Sequence, residues 1–134
     1  MTETVEELRS RAATWLAANR QHAPRDYGAI CPPDLVNEGV AWQRLIYDNG
    51  FAGLHWPTEF GGGGRPPIER LIVGEEMIKA GAPIAASWFG DRQMGPALIQ
   101  YGTPEQQKEF LPGILAGETT WCIGMSEPNA GSDL

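Results

Sequence analysis

A mainly α-helical chain is what this sequence predicts, on three observations. Apolar residues recur at helical spacing through five separate stretches. Threonine or proline opens several of those stretches and glycine closes most of them. Only one short run, near the end, is β-branched and aromatic enough to read as a strand. The 134 residues suit one domain, or one lobe of a larger protein. With 42% hydrophobic and 20% charged residues the composition is globular rather than disordered. Ten Lys+Arg against 17 Asp+Glu give a formal charge of −7, which argues against nucleic acid or an anionic membrane surface as the main partner. No apolar run approaches the roughly 18 residues of a membrane span, and the polar, acidic start lacks the order of a secretory signal. Cys31 and Cys122 form no CxxC pair, so neither a disulfide framework nor a zinc site is expected. A soluble, cytoplasmic protein is the expectation.

The first helix starts at a capping box, Thr4 with Glu7, and carries Val5, Leu8, Ala12, Trp15 and Leu16 on one stripe until Pro24. A loop with Tyr27, Gly28, Cys31 and Pro32 leads to a second helix, with Pro33 or Asp34 in its first turn. Leu35, Trp42, Leu45 and Ile46 share its face, and Gly50 suits a left-handed stop. Residues 51–67 contain four consecutive glycines and three prolines, which demand a loop. Pro67 opens a third helix, expected to turn Ile68, Leu71, Ile72 and Ile78 inward and to end at Gly81. Asp91 is the expected cap of a fourth helix carrying Met94, Leu98 and Ile99, closed by Gly102. Thr103, Pro104 and Gln106 give the clearest start signal, opening a fifth helix that Pro112-Gly113 should interrupt before Gly117. The run from Thr119 to Ser126 then reads as a strand, followed by the turn-rich Glu127-Pro128-Asn129-Ala130-Gly131-Ser132-Asp133. A lone strand needs sheet partners for its backbone N–H and C=O groups.

Several features have plain structural readings. The glycines at 61–64 lack the Gly-Lys-Ser/Thr of a phosphate loop and follow no strand, so a turn is the better reading. His22 and His55 have no partner ligands and read as structural. Trp15 and Trp42 read as core, whereas Trp88 and Trp121 lie near element ends. Cys122 is expected to be a small buried apolar residue. The final stretch is different. It gathers backbone N–H groups and two hydroxyls in a short arc, with glycine permitting close approach. Such an arc suits an anionic or heteroaromatic ligand or, equally, a tight strand-to-strand turn.

The string Met125-Ser126-Glu127-Pro128-Asn129-Ala130-Gly131-Ser132-Asp133 resembles the flavin-binding signature of the acyl-CoA dehydrogenases: Thr or Ser, Glu-Pro, any residue, then Ala-Gly-Ser-Asp. Tyr101-Gly102-Thr103-Pro104-Glu105-Gln106-Gln107-Lys108-Glu109-Phe110-Leu111-Pro112, followed by Leu115-Ala116-Gly117-Glu118, resembles the helix and turn that precede it. Gly50-Phe51-Ala52-Gly53-Leu54 and Pro57-Thr58-Glu59-Phe60-Gly61-Gly62 resemble the family's loop between early helices. The likeness runs through nearly the whole chain in order.

That resemblance implies an N-terminal helical domain over residues 1–118 and, from 119 to 134, the first strand of a middle β-domain. It implies FAD as cofactor. Ile123, Gly124, Met125 and Ser126 would lie along the isoalloxazine, and Gly131 and Ser132 by the FAD pyrophosphate, with Ser132 also near the acyl-CoA. Hydrogen bonds to the pyrimidine edge would favour reduced flavin. Met125 stands where the family often has a different apolar residue. The implied reaction is α,β-dehydrogenation of an acyl-CoA to a trans-2-enoyl-CoA, with electrons passed to an electron-transfer flavoprotein, in a homo- or hetero-oligomer. The family's catalytic glutamate comes from a later helical domain, so no catalytic residue is assigned in this chain, and Glu127 holds only a structural position of the motif. The isolated chain is expected to be inactive. Two alternatives share parts of this reading: a flavin monooxygenase or nitroalkane-oxidase relative of the same fold, and a non-catalytic helical subunit that needs a partner.

Overall fold

The computed structural model describes residues 3–25, 33–86 and 88–132. Among them five α-helices follow one another, α1 (Val5–Asn19), α2 (Val36–Asp48), α3 (Pro67–Lys79), α4 (Gly95–Tyr101) and α5 (Pro104–Ala116). None is long and apolar enough to cross a membrane. Both capping boxes form. Thr4 Oγ1 accepts from the Glu7 N–H while Glu7 accepts from the Thr4 N–H, and Thr103 and Gln106 do the same at α5. Gly50, Gly81 and Gly117 end their helices with φ of 73°, 65° and 75°, a region open to glycine at little cost. The expected loop over Tyr27, Gly28, Cys31 and Pro32 lies outside the described residues.

Two apolar clusters fill the interior. Leu8, Ala12 and Leu16 of α1 meet Trp42 and Ile46 of α2 and Val73 and Met77 of α3 in the larger one. Trp15 packs against both Trp42 and Phe51, with ring centroids 5.4 and 5.0 Å apart. The smaller cluster gathers Leu111, Ile114 and Leu115 of α5 around Trp56, flanked by Met94, Leu98 and Ile99. The glycine run serves this second cluster. The chain folds back over Trp56 so that the Gly64 N–H donates to the Trp56 carbonyl at 2.8 Å and the Gly63 N–H to the Gly53 carbonyl at 3.0 Å. A Cβ on Gly62 would stand 2.3 Å from the Trp56 carbonyl oxygen, and one on Gly95 would stand 2.0 Å from the Trp56 ring. Glycine is needed there for closeness, not for phosphate.

Three expectations about the helices fail, each for an identifiable reason. The buried face of α3 is Glu69, Ile72, Val73, Glu76 and Met77, while Ile68, Leu71 and Ile78 are 52%, 54% and 69% exposed. Arg65 pairs with Glu69, and Arg9 and Lys79 pair with Glu76, so two neutralised carboxylates can sit on the α1-facing stripe that apolarity alone assigns elsewhere. Asp91 caps nothing. It is buried within a π turn, Gly90–Met94, whose closing Gly95 N–H reaches the Gly90 carbonyl five residues back. Pro112 does not interrupt α5 either. The carbonyl left without its helical donor belongs to Lys108, which is exposed like Pro112 itself, so water can satisfy it.

Candidate functional site

The terminal segment leaves the body from a clamped platform. Gln43 of α2 is 3% exposed and joins three elements: its amide donates to the Leu115 carbonyl of α5 at 3.0 Å and its oxygen accepts from the Ala86 N–H at 3.1 Å. A Cβ on Gly117 would meet the Gln43 side chain at 2.6 Å, so α5 ends pressed against α2. The Glu118 and Thr119 N–H groups both donate to the Gly113 carbonyl, at 2.8 and 3.2 Å, which turns the chain away from the helix. Trp121 then stacks edge-on against Phe110 of α5, centroids 5.6 Å apart at 88°. The position of Gln43 was open to view in the sequence. Residues 39, 42, 43 and 46 follow the buried i, i+3, i+4, i+7 pattern, and a polar residue on that pattern needs partners.

Beyond Trp121 the chain has the conformation of nothing regular. Residues 120–126 carry no helix or strand. Among the described residues, 122–126 make no backbone–backbone hydrogen bond. The strand expected from Thr119 to Ser126 therefore has β-forming side chains but no ladder, because no other described segment runs beside it. The expectation that Cys122 is buried fails with it: Cys122 is exposed. At 36% and 60% exposure, Ile123 and Met125 are also open.

The turn that follows does form. The Glu127 N–H donates to the Ala130 carbonyl at 2.8 Å and the Ala130 N–H returns the bond at 3.2 Å, an isolated antiparallel bridge around Pro128-Asn129. Ile123, Gly124, Met125 and Ser126 lie on the approach to this turn, and Gly131 and Ser132 just past it, all of them exposed. A Cβ placed on Gly124 or Gly131 would meet nothing within 4 Å. The arrangement offers the backbone N–H groups of 122–126, unpaired with other backbone among the described residues, two exposed hydroxyls and two positions without side-chain bulk. Those features permit close approach of a planar ring edge or a phosphate, and they also make an ordinary turn. Among the described residues no group of three His, Cys, Asp or Glu converges to hold a metal ion.

His22 is exposed at the end of a short 3-10 turn, Arg20–His22. His55 is half-buried, and its pKa is lowered by burial and then by the Arg70 charge. Trp88 is 42% exposed and stacks edge-on with Phe89.

Residues 2–118 match the family model for the N-terminal domain of acyl-CoA dehydrogenases. The chain is 42% identical to the acyl-CoA dehydrogenase IpdE1 of Mycolicibacterium smegmatis over 97% of its own length and 34% of that protein's. It is 38% identical to IpdE1 of Mycobacterium tuberculosis, covering 98% of this chain and 35% of that one. Among solved structures, a chain of the ChsE4–ChsE5 complex from Mycobacterium tuberculosis superposes with a TM-score of 0.77 at 32% identity, over 99% of this chain and 33% of that one. The Tcur3481–Tcur3483 steroid ACAD gives 0.76 at 29% identity, over 99% and 35%. The chain thus spans about a third of the length of the curated relatives it matches. It belongs to the acyl-CoA dehydrogenase family and corresponds to that family's N-terminal helical domain.

Proposed function

We propose that this chain serves an FAD-dependent acyl-CoA dehydrogenase, with residues 1–118 as the bracing helical domain and 119–134 as the start of a β-domain whose first edge faces the flavin. The observation that carries the proposal is the exposed approach and turn over residues 123–132, held on the platform of α5 and Gln43, in a chain whose match to the family's N-terminal domain ends at residue 118 while its relatives align through nearly the whole chain. In this reading the backbone of Ile123, Gly124 and Met125 and the Ser126 hydroxyl bind the pyrimidine edge of the ring system. Gly131 leaves room for the pyrophosphate, and the Ser132 hydroxyl donates to it and to the acyl-CoA. FAD supplies hydride acceptance from the β-carbon of the acyl group. The residues of this chain orient that acceptor and exclude bulk from its approach. The carboxylate that takes the α-proton must reach it directly, and we assign none here. These 134 residues alone are therefore inactive in dehydrogenation. An electron-transfer flavoprotein is the proposed electron acceptor. A homo- or hetero-oligomer is the proposed assembly, in keeping with the ChsE4–ChsE5 complex among the solved relatives. The steroid ACAD among them makes steroid-derived acyl thioesters the first substrates to try.

The test uses a polypeptide of full family length. Purified with FAD and kept anaerobic, it should bleach its visible flavin absorbance when an acyl-CoA is added. A protein that binds no FAD would overturn the proposal. One that holds FAD but is left unbleached by every acyl-CoA, and bleached by a nitroalkane instead, would keep the flavin edge and overturn the dehydrogenase reading.

A further inference from the structure

One cluster of charged groups has no part in the flavin reading. His55, Arg70, Asp91 and Arg92 come together where the loop after α2 meets α3 and the π turn. Arg92 Nε lies 2.7 Å from Asp91 Oδ2, and the two side chains are only 17% and 12% exposed. That pair consumes the one carboxylate of the cluster. Arg70 has no hydrogen bond and no ion pair among the described residues, and its pKa is lowered by burial and then by the neighbouring Arg92 charge. The Nε atoms of Arg70 and Arg92 and Nδ1 of His55 are buried without a hydrogen-bond partner; the Arg92 contact to Asp91 is close but poorly aligned for one. Two guanidinium groups, which stay charged in proteins, face a single carboxylate.

A cavity of about 20 Å³ opens among these groups, lined by Arg70, Asp91 and Arg92 together with Gly53, Gln43 and Met77. That volume admits one water-sized guest. A water could satisfy the donors, but only a negative charge would also balance the surplus cation in a poorly hydrated place. Asp91 and Arg92 both belong to the π turn, Gly90–Met94, and both side chains are largely buried. We propose that a small monovalent anion of halide size binds between the Arg70 and Arg92 guanidinium groups and ties α3 to the π turn.

Crystals of the full-length protein transferred to millimolar bromide test this by anomalous scattering. The expected result is one bromide peak between the two guanidinium groups, absent from crystals of Arg70→Gln and of Arg92→Gln. In solution at constant ionic strength, chloride should raise Tm by a few degrees over fluoride for the parent protein, and either variant that folds should lose that difference. No peak, a peak only at molar bromide, a water at the position, or a carboxylate from elsewhere in the polypeptide seated there would each overturn the proposal. So would a folded Arg70→Gln with undiminished chloride dependence.

Discussion

The helical body and the terminal segment obey opposite rules. In the five helices between Val5 and Ala116 the backbone closes its hydrogen bonds locally, helix by helix, and the side chains bury one another; Leu8, Trp42, Trp56 and Leu115 are at most 2% exposed. From 122 to 126 the side chains favour a strand, yet among the described residues the backbone makes no backbone hydrogen bond and Met125 is 60% exposed. The difference teaches that a helix carries its polar backbone solution within itself, whereas a strand borrows one from a neighbour. A body of helices can brace an edge whose own order depends on what pairs with it.

Substitutions can break or sharpen that contrast, and the largest effects should fall in the body. Gly95→Ala drives a methyl into the Trp56 ring, and Trp56→Ala empties the centre of the second cluster. Each should lower stability by about 3–5 kcal/mol in urea unfolding of the full-length apoprotein. Gln43→Leu strands the Leu115 carbonyl and the Ala86 N–H and should lose about 2–3 kcal/mol in the same assay. Thr103→Ala removes the α5 cap and should lose about 1 kcal/mol.

A smaller effect is tied to pH. Arg11 first, and then Arg65, hold the Glu3 carboxyl well below the usual range, at about 2. A carboxyl lowered on folding stabilises above its unfolded pKa, near 4.3, and that contribution is lost as pH falls toward 2. Glu3→Gln should flatten the acid limb of the stability curve between those values, by less than about 1 kcal/mol for a partly exposed pair. The smallest effect is expected in the terminal segment. Ile123→Ala and Met125→Ala should change apoprotein stability by no more than about 0.5 kcal/mol, and a loss of several kcal/mol would show that the segment belongs to the body after all.

Much of this architecture was legible in the residues. The capping boxes at Thr4 and Thr103, the stops at Gly50, Gly81 and Gly117 and the loop at residues 51–67 all appear where short-range rules put them, because those rules act within a few residues. What escaped them was long-range. The ion pair from Arg9 of α1 to Glu76, 67 residues away, helps decide which face of α3 is buried. The π turn at Asp91 ends at Gly95, which packs against the Trp56 ring, a contact that no local signal announces. For the proposed site, motif resemblance singles out Ser126, Gly131 and Ser132 and chemistry alone does not, since donors and small residues also make ordinary turns. The exposure of Cys122 was misread for a related reason: burial on a strand presupposes a sheet to bury it.

Gly131 offers the most direct test of the flavin edge, because a Cβ added there would meet nothing within 4 Å. The measurement is the dissociation constant for FAD of full-length Gly131→Asp against the parent, with the Tm of both apoproteins as control. Bulk and negative charge beside the pyrophosphate should weaken FAD at least about tenfold, some 1.4 kcal/mol, while Tm stays unchanged. Equal FAD affinity in a protein of equal stability would contradict the placement of this turn at the cofactor.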